Sequence, residues 1–188
     1  MISVVDLATL DGTNGFRIGD LFAANPSQTV VSGAGDVNGD GFDDLIIGSP
    51  FYGAAYNPRG AVYIVLGAPG GFDPVTRPHG PQTGAQTFDY FGASVDAAGD
   101  VNGDGFDDLI VGADGVGASV GASYLVLGSA TGVDFDNARR IDGIGAFDLS
   151  GDAVAGAGDV NGDGLGDVIV GAKGADEAYV VFGTTDGF

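Results

Sequence analysis

The sequence predicts an all-β protein of antiparallel four-stranded propeller blades, and three observations carry that reading. An acidic, glycine-rich segment occurs three times at a spacing of tens of residues, a short β-branched run follows each copy, and no stretch of ten or more residues keeps a helical apolar period. The string GDVNGDGFDDLIIG at Gly35–Gly48 recurs as GDVNGDGFDDLIVG at Gly99–Gly112 and as GDVNGDGLGDVIVG at Gly158–Gly171. The first aspartates of the copies, Asp36, Asp100 and Asp159, stand 64 and 59 residues apart.

Each unit offers its strands in the same order. Small residues at 30–34, 93–98 and 153–157 precede the loops and suit an innermost strand, where blades crowd toward an axis. The runs 45–47, 109–111 and 168–170 are apolar without alternation, so they predict strands buried on both faces. A third strand follows as AVYIVLG from Ala61, ASYLVLG from Ala122 and AYVVFG from Ala178, and polar segments such as 137–144 supply an outer fourth. Four strands in ~60 residues is the size of one propeller blade. The expected blades are 19–81, 82–144 and 145–188, with residues 2–18 as a permuted outer strand for the third. Closed propellers use about 4–8 blades. Three blades therefore predict a partial ring, or one completed by oligomerisation, with two copies giving six blades.

Composition narrows the function. The 188 residues carry a formal charge of −20 and 37 glycines, with no cysteine. Every acid except Glu177 is Asp, a residue of turns and cation-binding loops, not of helix interiors. Nucleic acid would be repelled by such a chain, so none is expected as a partner. No run approaches ~18 apolar residues and the start lacks a basic and then apolar leader, so neither a membrane span nor a signal peptide is expected. The single histidine, His79, reads as a solvated residue of a Pro-rich loop, and Arg139 and Arg140 as a solvated pair on an outer strand. No serine, histidine and acid constellation suggests a catalytic residue.

The three loops read as metal sites. Asp36, Asn38 and Asp40 put side-chain oxygens at loop positions 1, 3 and 5, Gly41 allows the sharp turn at 6, Phe42 offers its carbonyl at 7, and Asp44 reaches in at 9. Asp100, Asn102, Asp104, Phe106 and Asp108 repeat the set, as do Asp159, Asn161, Asp163, Leu165 and Asp167. All-oxygen donors call for a hard cation, and water or a bidentate carboxylate would bring the count to what Ca²⁺ takes. Three Ca²⁺ sites are expected. Position 12, a glutamate in an EF-hand, is Ile47, Val111 or Val170 here, so the loops lie between strands, not helices. Asp43 and Asp107 at position 8 read as outward-facing or outer-sphere acids, and Gly166 in the third copy as a substitution harmless to binding.

These residues resemble the FG-GAP repeats of the integrin α-subunit propeller and its bacterial relatives. Phe91 and Gly92 match the first half of the motif name, Gly48, Ser49 and Pro50 approximate the second, and the acidic loop lies between them. Ser27 and Gln28, and Ser150 and Gly151, depart from the Phe-Gly half, and Asp114 and Lys173 stand where the proline would be. The resemblance implies structural Ca²⁺ and a ligand site outside the acidic loops. The expected function is a non-enzymatic, calcium-stabilised module of extracellular or cell-surface origin, for adhesion or for binding a protein or glycan. Alternative readings are the propeller of a secreted polysaccharide-active hydrolase or lyase, and a self-assembling scaffold.

Overall fold

The structure is a computed structural model that describes residues 7–10, 15, 17–18, 28–54, 57–72 and 79–186. Among the described residues its longer strands form three antiparallel sheets in simple meander order, and two two-stranded ribbons, Gly53–Ala54 with Asn57–Pro58 and Gly67–Ala68 with Gly71–Phe72, decorate the first. The first blade is β1 (Val30–Gly35), β2 (Asp44–Ser49), β3 (Ala61–Val65) and β4 (His79–Thr83). The second is β5 (Val95–Gly99), β6 (Asp108–Ala113), β7 (Ala122–Val126) and β8 (Arg139–Asp142). The third is β9 (Ser150–Gly158), β10 (Asp167–Ala172) and β11 (Glu177–Val181).

One expectation changes, and one falls largely outside the described residues. Among the described residues the third blade has three strands. Leu7–Thr9 forms a 3₁₀ turn, and most of the expected 2–18 outer strand lies outside the described residues. His79 is not in a loop but opens β4, where its backbone pairs with Ile64 of β3. The outer-strand reading of the arginine pair holds: both are exposed on β8, and Arg140 ion-pairs with Asp142 at 2.5 Å.

Every blade bends in the same way just before its loop. The register of the first two strands shifts by one residue between Gly33 and Gly35, between Ala97 and Gly99, and between Gly156 and Gly158. Gly35, Gly99 and Gly158 hold φ of +70°, +71° and +71° at that bulge, a backbone state that glycine adopts without steric cost. The bulge turns the chain out of the sheet and into the acidic loop.

Successive blades stack face to face. Ala34, Ile46, Val62 and Ile64 of the first blade pack on Val95, Leu109, Val111 and Val126 of the second. Ala98, Val101, Ile110 and Leu125 of the second pack on Val154, Val168 and Val170 of the third. The close approach depends on paired glycines. A Cβ on Gly48 would stand 2.4 Å from the carbonyl oxygen of Gly92, and one on Gly112 only 2.0 Å from that of Gly151. Phe91, beside Gly92, is buried with its ring edge-on to Tyr124 and Phe135. The sheets do not close into a ring.

One core position is imperfect. Ser123 takes the place that Val62 holds in the first blade, and its hydroxyl is buried without a hydrogen-bond partner. Relieving an unsatisfied buried hydroxyl is worth about 1 kcal/mol. Ser123→Ala is therefore expected to raise the thermal midpoint by roughly 2–4 °C for a chain of this size, and calorimetry on the two proteins would check it.

Candidate metal loops

The loops are built around their first aspartate. Asp36 Oδ1 accepts the N–H groups of Gly39 at 2.7 Å and Asp40 at 3.1 Å, and its Oδ2 accepts that of Gly41 at 2.8 Å. Asn38 Oδ1 accepts Asp40 N–H, Asn38 Nδ2 donates to Asp40 Oδ2, and Asp40 Oδ1 accepts Phe42 N–H. Asp100 with Asn102 and Asp104 repeats the same set of bonds, and so does Asp159 with Asn161 and Asp163. Short Asp and Asn side chains at positions 1, 3 and 5 thus fold the backbone over themselves, with the fifth-position aspartates on the exposed rim and the first and third positions of the first two loops half-buried.

The ninth position behaves differently. Asp44, Asp108 and Asp167 are fully buried. Asp108 Oδ2 accepts Val101 N–H at 2.9 Å and its Oδ1 accepts Gly128 N–H at 2.8 Å, which ties the start of the loop to the end of β7. Asp44 bonds Val37 and Gly67 in the same way, and Asp167 bonds Val160 and Gly183. Burial pushes the Asp108 carboxyl up to about 6, against the pull of its two backbone donors and with the help of Asp104 and Asp100. Asp44 is raised for the same reason. The sequence pointed to this residue as an oxygen donor; its clamping of loop to strand was not legible there, since both partners are backbone groups.

Position 8 is corrected. Asp107 is no outward-facing acid: its Oδ2 accepts Asp36 N–H across the blade boundary at 2.8 Å, while Asp107 N–H donates to Asp36 C=O. The ring of Phe106 lies over Gly39 of the same neighbouring loop, where a Cβ would come within 2.6 Å of it. The first loop is thereby held by the blade that follows, and the second is held by Gly166 N–H, which donates to Asp100 C=O.

The donor set can be tested against a hard cation. Among the described residues no three carboxylate or imidazole side chains converge on one point. The loop offers instead two rim carboxylates, an amide oxygen and main-chain carbonyls, with the third carboxylate underneath. Oδ1 of the first aspartate accepts two N–H groups, whereas its Oδ2 and both oxygens of the fifth-position aspartate accept one each and retain a lone pair. All donors are oxygen, which fits Ca²⁺ and not a thiolate- or imidazole-seeking metal.

Repeated antiparallel blades, stacked by face and joined through acidic loops, define a β-propeller repeat protein. The FG-GAP repeat family matches residues 29–65 and 91–126, the strands and loops of the first two blades. The chain is 38% identical over 168 residues to integrin alpha pat-2 of Caenorhabditis briggsae, covering 78% of this chain and 13% of that protein. It is 44% identical over 88 residues to integrin alpha-5 of Xenopus laevis, covering 46% and 8%. It is 31% identical over 188 residues to integrin alpha-PS2 of Drosophila melanogaster, covering 93% and 13%. The chain thus spans a small fraction of the length of these curated relatives. It belongs to the integrin-like FG-GAP repeat proteins. The third blade lies outside the family match yet repeats the bulge, the loop bonds and the buried Asp167.

Proposed function

We propose that the chain is a non-enzymatic, calcium-stabilised propeller module of an extracellular or cell-surface protein, serving adhesion through a protein or glycan ligand. Integrin α-subunits as relatives support the adhesive setting. The observation that carries the calcium reading is the threefold repetition of one loop geometry with the same all-oxygen donors at positions 1, 3 and 5. Asp36, Asn38, Asp40, the Phe42 carbonyl and Asp44 would hold the first ion, and the equivalent residues from Asp100 and Asp159 the other two. Bound Ca²⁺ would offset the repulsion among acids that these loops concentrate: eleven of the 26 acids lie in them. Millimolar extracellular calcium fills sites of modest affinity, so an extracellular address and these loops suit each other.

Differential scanning calorimetry tests this. Calcium at millimolar concentration is expected to raise the melting temperature by several degrees over chelator-treated protein, since a ligand that binds only the folded state stabilises it by mass action. Changing Asp40, Asp104 and Asp163 together to Ala is expected to remove the calcium response. An identical melt in chelator and calcium would refute the calcium reading.

A further inference from the structure

The third residue of each acidic loop carries a chemistry of its own. Of the seven asparagines in the chain, four precede glycine, Asn14, Asn38, Asn102 and Asn161, and the last three of these are the third residues of the loops. Asparagine before glycine is the pairing most open to attack by the backbone on the side chain, because the following nitrogen has no neighbouring side chain to shield it. Access is not restricted either. Gly39, Gly103 and Gly162 are exposed, with φ of +72°, +78° and +79°, so water reaches the peptide bond that follows each asparagine.

The bonds of the loop set a group beside each atom that such an attack involves. Gly39 N–H donates to Asp36 Oδ1 at 2.7 Å, and Gly103 and Gly162 donate to Asp100 and Asp159 at 2.6 Å, so the attacking nitrogen already faces an acceptor for its proton. Asn38 Oδ1 accepts Asp40 N–H at 3.0 Å, which folds the side-chain carbonyl back over the Gly39 peptide and supports the negative charge that this oxygen gains. Asn102 and Asn161 make the same bond at 2.9 Å. The nitrogen that leaves, Asn38 Nδ2, donates to Asp40 Oδ2 at 3.0 Å, and its counterparts donate to Asp104 and Asp163 at 2.8 and 2.7 Å. Other asparagines differ. Asn57 precedes Pro58, which has no N–H, and Asn137 precedes Ala138, whose N–H donates to the Phe135 carbonyl.

We propose that Asn38, Asn102 and Asn161 are self-deamidation sites, assisted by the aspartates that shape their loops. In the first loop, Gly39 N gives its proton to Asp36 and bonds to Asn38 Cγ; the Cγ–Nδ2 bond breaks, and Nδ2 takes up a proton and leaves as ammonia. The cyclic imide that remains adds water, opening at Cγ to an aspartyl residue or at the main-chain carbon of Asn38 to an isoaspartyl one. In sum, amide and water become acid and ammonia, with no oxidant or reductant. Either product ages the loop. A carboxylate at this position faces Asp40 Oδ2 where an N–H group donated before, so two like charges replace a hydrogen bond. The isoaspartyl link also lengthens the backbone by a methylene, which takes Gly39 N–H out of register with Asp36. A cation held by Asp36 and Asn38 Oδ1 engages both the proton acceptor and the attacked carbonyl, so bound calcium shields the site; this part rests on the calcium reading.

Peptide mapping by mass spectrometry tests this, on the full chain incubated at neutral pH in chelator. The three loop asparagines are expected to turn into aspartyl and isoaspartyl forms at least as fast as in the same chain unfolded in urea, while Asn57 and Asn137 stay amides. Loop asparagines that convert in urea but stay amides in the folded chain would overturn the proposal, since the fold would then be their protection. Asp36→Asn removes the proton acceptor from one loop only. It is expected to slow conversion of Asn38 several-fold and to leave Asn102 and Asn161 at their parent rates, which also report that the rest of the chain is folded as before. An unslowed Asn38 would refute assistance by the carboxylate. Millimolar calcium is expected to slow all three loop sites and to leave Asn14, outside the loops in sequence, at its rate in chelator. Unslowed conversion in a chain whose melt calcium raises would sink the shielding, whereas unslowed conversion with an unmoved melt would count against the calcium reading and leave the modification standing.

Discussion

Asp108→Ala is expected to be among the most destabilising single changes in the molecule, and to remain so in chelator. The side chain is fully buried and satisfies two backbone donors, Val101 N–H at the start of the loop and Gly128 N–H after β7. Alanine leaves both donors in the interior without an acceptor. At about 1–3 kcal/mol for each unsatisfied buried group, the loss is roughly 2–6 kcal/mol, a large part of the stability of an ordinary domain. Urea denaturation with chelator present isolates this clamping role from any metal. Asp104→Ala is the control: its side chain sits on the exposed rim, so in chelator it is expected to shift stability by less than about 1 kcal/mol. Equal effects for the two would show that the buried clamp is not what holds the loop to the blade.

This contrast marks where the sequence stopped being informative. Repetition alone located all three acidic loops, their flanking strands and the outer strand at 139–142, because the period and the apolar runs are properties of single segments. Asp44, Asp108 and Asp167 could be placed at position 9, but their partners Gly67, Gly128 and Gly183 lie 16 to 23 residues away and contribute only an N–H. The same limit hid Asp107, whose partner is a backbone amide 71 residues distant. Gly48 and Gly112 sit within strands. Their need for a bare Cα comes from a neighbouring blade's carbonyl, which no local pattern reveals.

Gly112→Ala and Gly171→Ala are expected to differ sharply in stability, because only the first glycine faces another blade's backbone. The two glycines occupy the same position in β6 and β10, each with an ordinary negative-side backbone, so alanine brings no torsional penalty at either. Their surroundings differ. At Gly112 the new methyl would lie 2.0 Å from the Gly151 carbonyl oxygen, and that oxygen belongs to backbone that cannot rotate away. Either the second and third blades separate or β6 bends, at a cost of about 3 kcal/mol or more by the measure of overpacked cores. At Gly171 the nearest atoms are those of Ala153 at 3.4–3.5 Å, which is ordinary contact. Gly171→Ala is therefore expected to stay within about 1 kcal/mol of the parent in the isolated chain, with the reduced freedom of the unfolded chain working in its favour. Chemical denaturation of the two variants gives the comparison, and equal losses at the two positions would show that the Gly151 carbonyl is not what excludes a side chain at Gly112.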